Sequence, residues 1–131
     1  MTTTTRMLPF AVELTTGSPV SEQLLYAVEK AVIAGHLKCG DRFPSVRTLS
    51  QELRINPNTA HKVVAALLSQ GLLEVKPGIG TIVGKNQKST PQQRSGLLGK
   101  DVERLVVEAK KLRLTLEDLT HAVESHWNQL T

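Results

Sequence analysis

The chain has 131 residues, of which 40% are hydrophobic, and a formal net charge of +4. This length predicts one domain, or one domain with a small appendage, and the four aromatic residues leave little material to line a large ligand cavity. A single cysteine excludes a disulfide framework and a metal site built from several thiolates.

The positive charge is concentrated in the first two thirds of the chain. Residues 1–88 carry ten Lys and Arg against six Asp and Glu, whereas residues 89–131 carry six of each. A basic surface of this kind suits a polyanion such as nucleic acid. The N-terminus lacks the pattern of a signal peptide, and no apolar run is long enough to span a bilayer, so we expect a cytoplasmic protein.

The first elements of the chain are an extended segment and a helix. Residues 1–7 are expected to form a disordered tail. Three apolar residues then alternate with polar or small ones, which predicts a short strand or an extended segment packed on the core: Phe10, Val12 and Leu14. Ser18 followed by Pro19 predicts a helix start with Ser18 as its N-cap.

Two short helices joined by a tight turn come next. Ser45 is expected to cap a helix over residues 46–53. Asn56 is expected to cap the following helix, with Pro57 in its first position. Apolar residues at the spacing i, i+3, i+4, i+7, i+8 predict the buried side of this helix: Ala60, Val63, Val64, Leu67 and Leu68.

A glycine-rich hairpin follows the second of these helices. Leu73 and Val75 lead into the turn sequence PGIG, and residues 81–83 return. Its two glycines, Gly78 and Gly80, are free to adopt positive φ. The predicted fold class is mainly α with a small β-hairpin: a winged helix-turn-helix, which points to double-stranded DNA, followed by a C-terminal helical hairpin for dimerisation.

The second helix of the helix-turn-helix starts with side chains that suit DNA. Four polar residues lie in its first two turns, away from the apolar side: Asn58, Thr59, His61 and Lys62. Asn can pair with adenine, and Lys can reach guanine or a phosphate. The helix N-terminus itself favours a phosphate. The alternative interpretation is that these residues form a solvated helix face. Asn56 is also among the predicted DNA contacts, although its capping role alone accounts for it.

Further DNA contacts are expected on either side of this helix. Arg47, in the first turn of the preceding helix, is placed to bind a phosphate, and Ser45 combines its cap with a phosphate hydrogen bond. Four residues of the wing are candidates for the sugar-phosphate backbone or the minor groove: Lys76, Gly78, Gly80 and Thr81. The alternative is that the two glycines serve only the geometry of the turn.

The C-terminal part is predicted to hold two copies of the chain together. Residues 84–96 are polar and predict a linker between a DNA-binding domain at 8–83 and a two-helix domain at 97–131. Thr115 and Asp118 predict a capping box at the start of the second helix. A unit this small cannot bury the apolar sides of both helices, and an exposed apolar surface of this kind marks a dimer interface. Nine apolar residues form these sides: Val102, Leu105, Val106, Ala109, Leu112, Leu116, Leu119, Val123 and Trp127. Packing of both helices on the winged domain of the same chain is the alternative.

Residues 19–83 resemble the DNA-binding domain of the GntR family of bacterial transcription regulators. The similarity lies in four motifs in register: GDRFPSVRTL at 40–49, NPNT at 56–59, GLLE at 71–74 and GIGTIV at 78–83. The NPNT helix start, the short C-terminal part and its segment EAKKLRLTLEDL at 108–119 resemble the YtrA subfamily.

This resemblance implies a homodimer that binds a two-fold-related operator and represses nearby genes, which in the YtrA branch often encode ABC-type transporters. It implies no catalysis and no cofactor. Seven residues match positions at which the family meets DNA: Ser45, Arg47, Asn58, Thr59, His61, Gly78 and Gly80. Many relatives carry Gln-Arg or Ala-Arg where this chain has His61 and Lys62, so the operator sequence of a relative does not transfer.

Three other functions are weaker interpretations of the sequence. A small-molecule effector that releases the DNA could bind at the dimer interface, or between it and the winged domain, but no residue cluster marks a pocket. His121 and His126 are five residues apart and do not share a helix face well, so no metal site is expected. If the winged helix bound protein or RNA instead, we would expect an acidic or apolar recognition face, unlike the polar residues found at the start of this helix. No catalytic arrangement of residues predicts an enzyme.

Overall fold

The computed structural model describes residues 8–85 and 89–130. The expected N-terminal tail, residues 1–7, lies outside the described residues. The chain divides into two compact units, residues 1–87 and residues 88–131.

The first unit is built on three helices: α1 (Val20–Ile33), α2 (Val46–Leu53) and α3 (Pro57–Ser69). Helix α3 packs against both α1 and α2. The core takes its side chains from one side of each helix, as the apolar spacing predicts, and its helical members are Leu24, Val28, Ala31, Leu49, Leu53, Ala60, Val63, Val64 and Leu67. Helix α2 has the predicted limits, and Leu68 is half-buried at the edge of this core.

The prediction that Ser18 caps α1 is wrong. Pro19 takes the N-cap position with an extended backbone, and no side chain caps this helix. Gln23 anchors the helix start instead, because its Nε2 donates to the carbonyl oxygens of Ser18 (2.9 Å) and Thr15 (2.8 Å). One side chain therefore fixes the entry of the chain into α1.

The segment before α1 bends at residues 8–10 and forms no strand within residues 8–15. Leu8, Phe10 and Val12 are buried in the core. The ring of Phe10 stacks on that of Phe43, with centroids 5.8 Å apart. The predicted strand is therefore absent from residues 8–15, whereas the predicted packing of this segment on the core is present.

The wing is an antiparallel hairpin of β1 (Leu73–Lys76) and β2 (Gly80–Val83). Leu73 lies opposite Val83, and Lys76 lies opposite Gly80 at the turn. The connector before α2 also joins the hairpin through a single antiparallel bridge between Arg42 and Ile82. A mainly helical unit with a small hairpin confirms the predicted fold class.

The second unit begins with a helix where the sequence pattern predicts a linker. Helix α4 (Pro91–Gly96), a π-helical turn (Leu97–Asp101) and α5 (Val102–Lys111) follow one another with helical backbone at each junction. Residues 91–96 are therefore helical, and residues 86–88 of the predicted linker lie outside the described residues. A turn with Arg113 at φ 59° leads to α6 (Leu116–Gln129).

Capping boxes start both long helical stretches of this unit. At α4, Gln93 N–H donates to Thr90 Oγ1 (3.1 Å), and Thr90 N–H donates to Gln93 Oε1 (2.8 Å). At α6, Asp118 N–H donates to Thr115 Oγ1 (3.1 Å), and Thr115 N–H donates to Asp118 Oδ2 (2.9 Å). The sequence predicts the box at α6. The box at α4 explains why a polar segment is helical: two of the unpaired N–H groups at the helix start are satisfied locally.

Candidate nucleic-acid interface

At the start of α2, the Ser45 hydroxyl is hydrogen-bonded within the helix, whereas the Arg47 side chain is exposed. The Ser45 hydroxyl donates to Thr48 Oγ1 (3.0 Å), and its oxygen accepts from the Thr48 N–H (3.1 Å). The proton of Ser45 is thus used inside the helix, so a phosphate contact from this hydroxyl requires it to rotate. The Arg47 side chain is exposed and makes no ion pair with any described residue, and its cationic group is available to an anion.

The start of α3 is fixed by Asn56. Its Oδ1 accepts a hydrogen bond from the Asn58 N–H (2.8 Å), and its backbone oxygen accepts from Thr59 N–H and Ala60 N–H. Pro57 takes the first helical position, where its missing N–H costs nothing. The Asn56 side chain is therefore engaged as a cap through its Oδ1, whereas the exposed Asn58 side chain has no capping role.

The predicted base-reading residues lie on the exposed side of α3. Asn58, His61 and Lys62 are exposed at the spacing i, i+3, i+4, whereas Thr59 is half-buried at the border of the packed side. Lys62 lies next to α1, where it lines a small, mainly apolar cleft with Ser21, Glu22, Leu25, Val63 and Ala66. Asn58 and His61 are the exposed residues of this face that do not line the cleft.

The turn between α2 and α3 contains an unexpected backbone conformation. Arg54, the C-cap of α2, has φ 53° and ψ 47°, the left-handed region that an L-residue enters at a cost. Its N–H donates to the Ser50 carbonyl oxygen, and its side chain is exposed. No composition signal predicts this conformation, because the usual marker of a left-handed cap is glycine.

The wing presents its predicted residues on two faces. Gly78 and Gly80 have φ of 79° and 109°, and a Cβ built on either would meet no atom within 4 Å. The glycines are therefore required here by backbone conformation, with open space around them. In the hairpin register Lys76 pairs with Gly80, so these two share one face and Thr81 lies on the other. Ile79, between the glycines, is 53% exposed at the tip.

The second unit exposes most of the apolar residues predicted for a dimer interface. Trp127 is 73% exposed and Leu116 is 76% exposed. Val106 and Leu119 are half-buried, and Ala109 is already buried within one chain. Helices α5 and α6 make few contacts with each other among the described residues. Apolar residues outside the predicted set are exposed as well: Leu97, Leu98, Val107 and Leu114.

Within residues 8–85 and 89–130, no three His, Cys, Asp or Glu side chains are grouped so that they could hold a metal ion. Among those same residues, no helix is both long and apolar enough to cross a membrane.

Comparison with known proteins identifies the first unit. Residues 20–83 match the family model described as "Bacterial regulatory proteins, gntR family". The chain is also 30% identical over 103 residues to the HTH-type transcriptional repressor YtrA of Bacillus subtilis, a match that covers 78% of this chain and 79% of that protein. The chain belongs to the GntR family. The predicted resemblance, to the family and to its YtrA branch, is confirmed.

Solved structures of transcription regulators share this fold. A transcriptional regulator from Oenococcus oeni is 28% identical and superimposes with a TM-score of 0.59 over 89% of this chain and 98% of that one. A transcriptional antiterminator from Listeria monocytogenes EGD-e superimposes with a TM-score of 0.79 over 89% and 90% of the two chains, at 21% identity.

As a GntR member, this protein is a DNA-binding transcription regulator of bacterial type, and the family is one of regulators, not of enzymes.

Proposed function

We propose that this GntR protein is a dimeric repressor that binds a two-fold-symmetric operator. The observation that carries the proposal is the start of α3, where Asn58 and His61 stand exposed on a helix whose opposite side is buried in the core. A helix presented in this way enters the major groove with its N-terminal residues towards the base edges.

The proposed contacts combine base reading with phosphate binding. Asn58 and His61 read base edges, Lys62 and Thr59 flank them, and Arg47 binds a phosphate beside the groove. Asn56 and Ser45 act first as caps that place these groups. The wing adds a contact to the backbone or minor groove through Lys76, Gly78, Gly80 and Thr81.

The dimer is proposed from the apolar surface of the second unit. Residues 97–131 supply the interface and residues 8–83 the DNA-binding domain. The two helices pack little on each other and leave an apolar surface exposed, which includes Leu112, Leu116, Val123 and Trp127. A second copy of the chain would bury this surface. Two-fold pairing of α3 then sets the half-sites about 34–36 Å apart, or one helical turn of DNA.

Repression is proposed because the Bacillus subtilis relative is named a transcriptional repressor. We infer that the regulated genes lie close to the operator and, from the YtrA-type resemblance, include ABC-type transporter genes. Acting on a bacterial chromosome places the protein in the cytoplasm. This function needs no cofactor, and it is compatible with a small-molecule effector that releases the DNA.

The test is selection of random duplex DNA by the purified protein, followed by titration of the selected site at two salt concentrations. We expect a two-fold-symmetric motif bound far more tightly than random DNA of the same length. An asymmetric motif would contradict the dimer. Enrichment of no motif at all, with only weak salt-sensitive binding, would contradict a sequence-specific regulator.

A further inference from the structure

The connector before α2 lies beside β2 of the wing and pairs with it through an isolated antiparallel bridge. Val83 N–H donates to the Asp41 carbonyl oxygen (2.8 Å), and Phe43 N–H donates to the Thr81 carbonyl oxygen (2.9 Å). These bonds enclose the bridge between Arg42 and Ile82. The two bridged residues form a non-hydrogen-bonded pair, the arrangement in which facing side chains lie closest together.

The register assigns Arg42 to the outer face of this small sheet. Ile82 lies opposite Glu74 as well as Arg42, so the three side chains share one face. The opposite face carries Leu73 and Val83, which belong to the core. Lys76 is two residues beyond Glu74 along β1 and therefore lies on the outer face with Arg42.

The two cations of the outer face are not neutralised within the unit. Arg42 and Lys76 are exposed, and neither makes an ion pair with a described residue. Glu74 is the acid on this face, and its Oε1 accepts a hydrogen bond from the Lys85 N–H (3.1 Å). The carboxylate is thus held at the base of the wing, while the two basic groups remain free.

The position of Arg42 links the two parts of the proposed DNA interface. Arg42 precedes the α2 cap, Ser45, by three residues, so the same segment leads into the turn that carries Arg47. From strand spacings, the Arg42 and Lys76 backbones are about 10 Å apart across the sheet and about 7 Å apart along it. Side chains of this length, starting at that separation, can bind separate phosphates of one DNA strand.

We propose that Arg42 is a further DNA contact, which binds a backbone phosphate separate from those bound by Arg47 and Lys76. This inference rests on the proposed function and deepens it, because it makes the connector before α2, and not the wing tip alone, part of the DNA interface. Arg42 carries no sequence preference in this role, since phosphates are the same at every base pair.

The test compares Arg42→Met with the parent protein on the selected operator and on random DNA. Methionine keeps an apolar side chain beside Ile82, which is only 8% exposed, and removes the charge. We expect the slope of log K against log salt to become about 0.9 shallower on both DNAs. Between 50 mM and 200 mM salt, the affinity of the variant should therefore fall about 3.5-fold less than that of the parent.

Lys30→Met is the matched control, because Lys30 is an exposed cation of α1 with no ion pair among the described residues. Its salt slope should equal that of the parent. A parent slope in Arg42→Met, with the thermal midpoint unchanged, would overturn the proposal. A lower thermal midpoint with the parent slope would assign Arg42 to covering Ile82 and would overturn it equally. Failure of the proposed function is a separate result, since the parent protein would then select no operator.

Discussion

His61 is the residue of α3 whose proposed role is most specific. Its side chain is exposed and has no hydrogen-bond partner among the described residues, and it stands one turn beyond Asn58. We expect His61→Ala to relax the preference at one base pair by about 1–3 kcal/mol while leaving random-sequence binding nearly unchanged. Titration of the operator and of its single-base-pair variants measures this. An equal loss of affinity on operator and random DNA would remove His61 from base reading.

Arg47 should give the opposite pattern. As a phosphate contact it carries no sequence information, so Arg47→Ala should weaken binding to operator and random DNA by the same factor. Its salt slope should be shallower by about one unit. Unchanged affinity and slope would exclude Arg47 from the interface. The two variants together separate base reading from phosphate binding within one helix-turn-helix.

Arg54 stores strain in the turn of the helix-turn-helix. Its φ of 53° is costly for an arginine and free for a glycine. We expect Arg54→Gly to raise the free energy of unfolding by about 0.5–1 kcal/mol, measured by urea denaturation. The control is Lys62→Gly, an exposed position in the interior of α3, which should lower it by about 1 kcal/mol. A lower stability of Arg54→Gly would mean that its side chain stabilises the turn.

At the scale of elements, the capping box of α6 is sensitive to acid. The Thr115 N–H and hydroxyl, hydrogen-bonded to the Asp118 carboxylate, lower the pKa of that carboxyl below its ordinary value of 3.8. Because the folded pKa is depressed, the stabilisation is present above pH 3.8 and is lost as the pH falls through the folded value. Asp118→Ala should therefore reduce the stability of the helical unit at neutral pH and make no difference in strong acid.

Circular dichroism during thermal unfolding at several pH values measures this difference. Glu117→Ala is the control, because Glu117 lies in the same first turn and makes no hydrogen bond to the Thr115 backbone within the described residues. Its effect should be smaller at neutral pH. A destabilisation by Asp118→Ala that persists undiminished in strong acid would contradict the ionised carboxylate as the cap.

The elements show what the sequence can predict. The caps at Ser45, Asn56 and Thr115 follow from side chains whose oxygens satisfy N–H groups a few residues away, which is a local property. The helix at Pro91 carries the same signal in Thr90 and Gln93, but the polar composition around it favoured a linker. The bridge of Arg42 to Ile82 joins residues 40 positions apart, and no local pattern specifies such a pairing.

At the scale of the whole molecule, some apolar helix sides are buried within the single chain and others remain exposed. The apolar spacing of α3 and that of α5 look alike in the sequence, yet α3 is buried by α1 and α2, whereas α5 leaves Val102 and Leu105 exposed. Periodicity predicts that a side is apolar and cannot say which chain covers it. The covering partner is therefore a matter for experiment.

The apolar surface of α6 makes the proposed dimer testable with a matched pair of substitutions. Trp127→Glu places a charge where a second copy would bury an aromatic ring, so the variant should be monomeric at concentrations at which the parent is a dimer, as measured by sedimentation velocity. Operator affinity should fall about 100-fold or more, because a monomer engages one half-site at a time. Binding to an isolated half-site should stay unchanged.

Tyr26→Glu is the control, since Tyr26 of α1 is 62% exposed and lies in the other unit. It should remain dimeric and keep its operator affinity. If Trp127→Glu keeps its helicity and is still a dimer, the interface does not use the exposed side of α6, and the two-fold spacing proposed for the operator loses its structural basis. If both variants dissociate, α1 belongs to the interface and the dimer is not confined to residues 97–131.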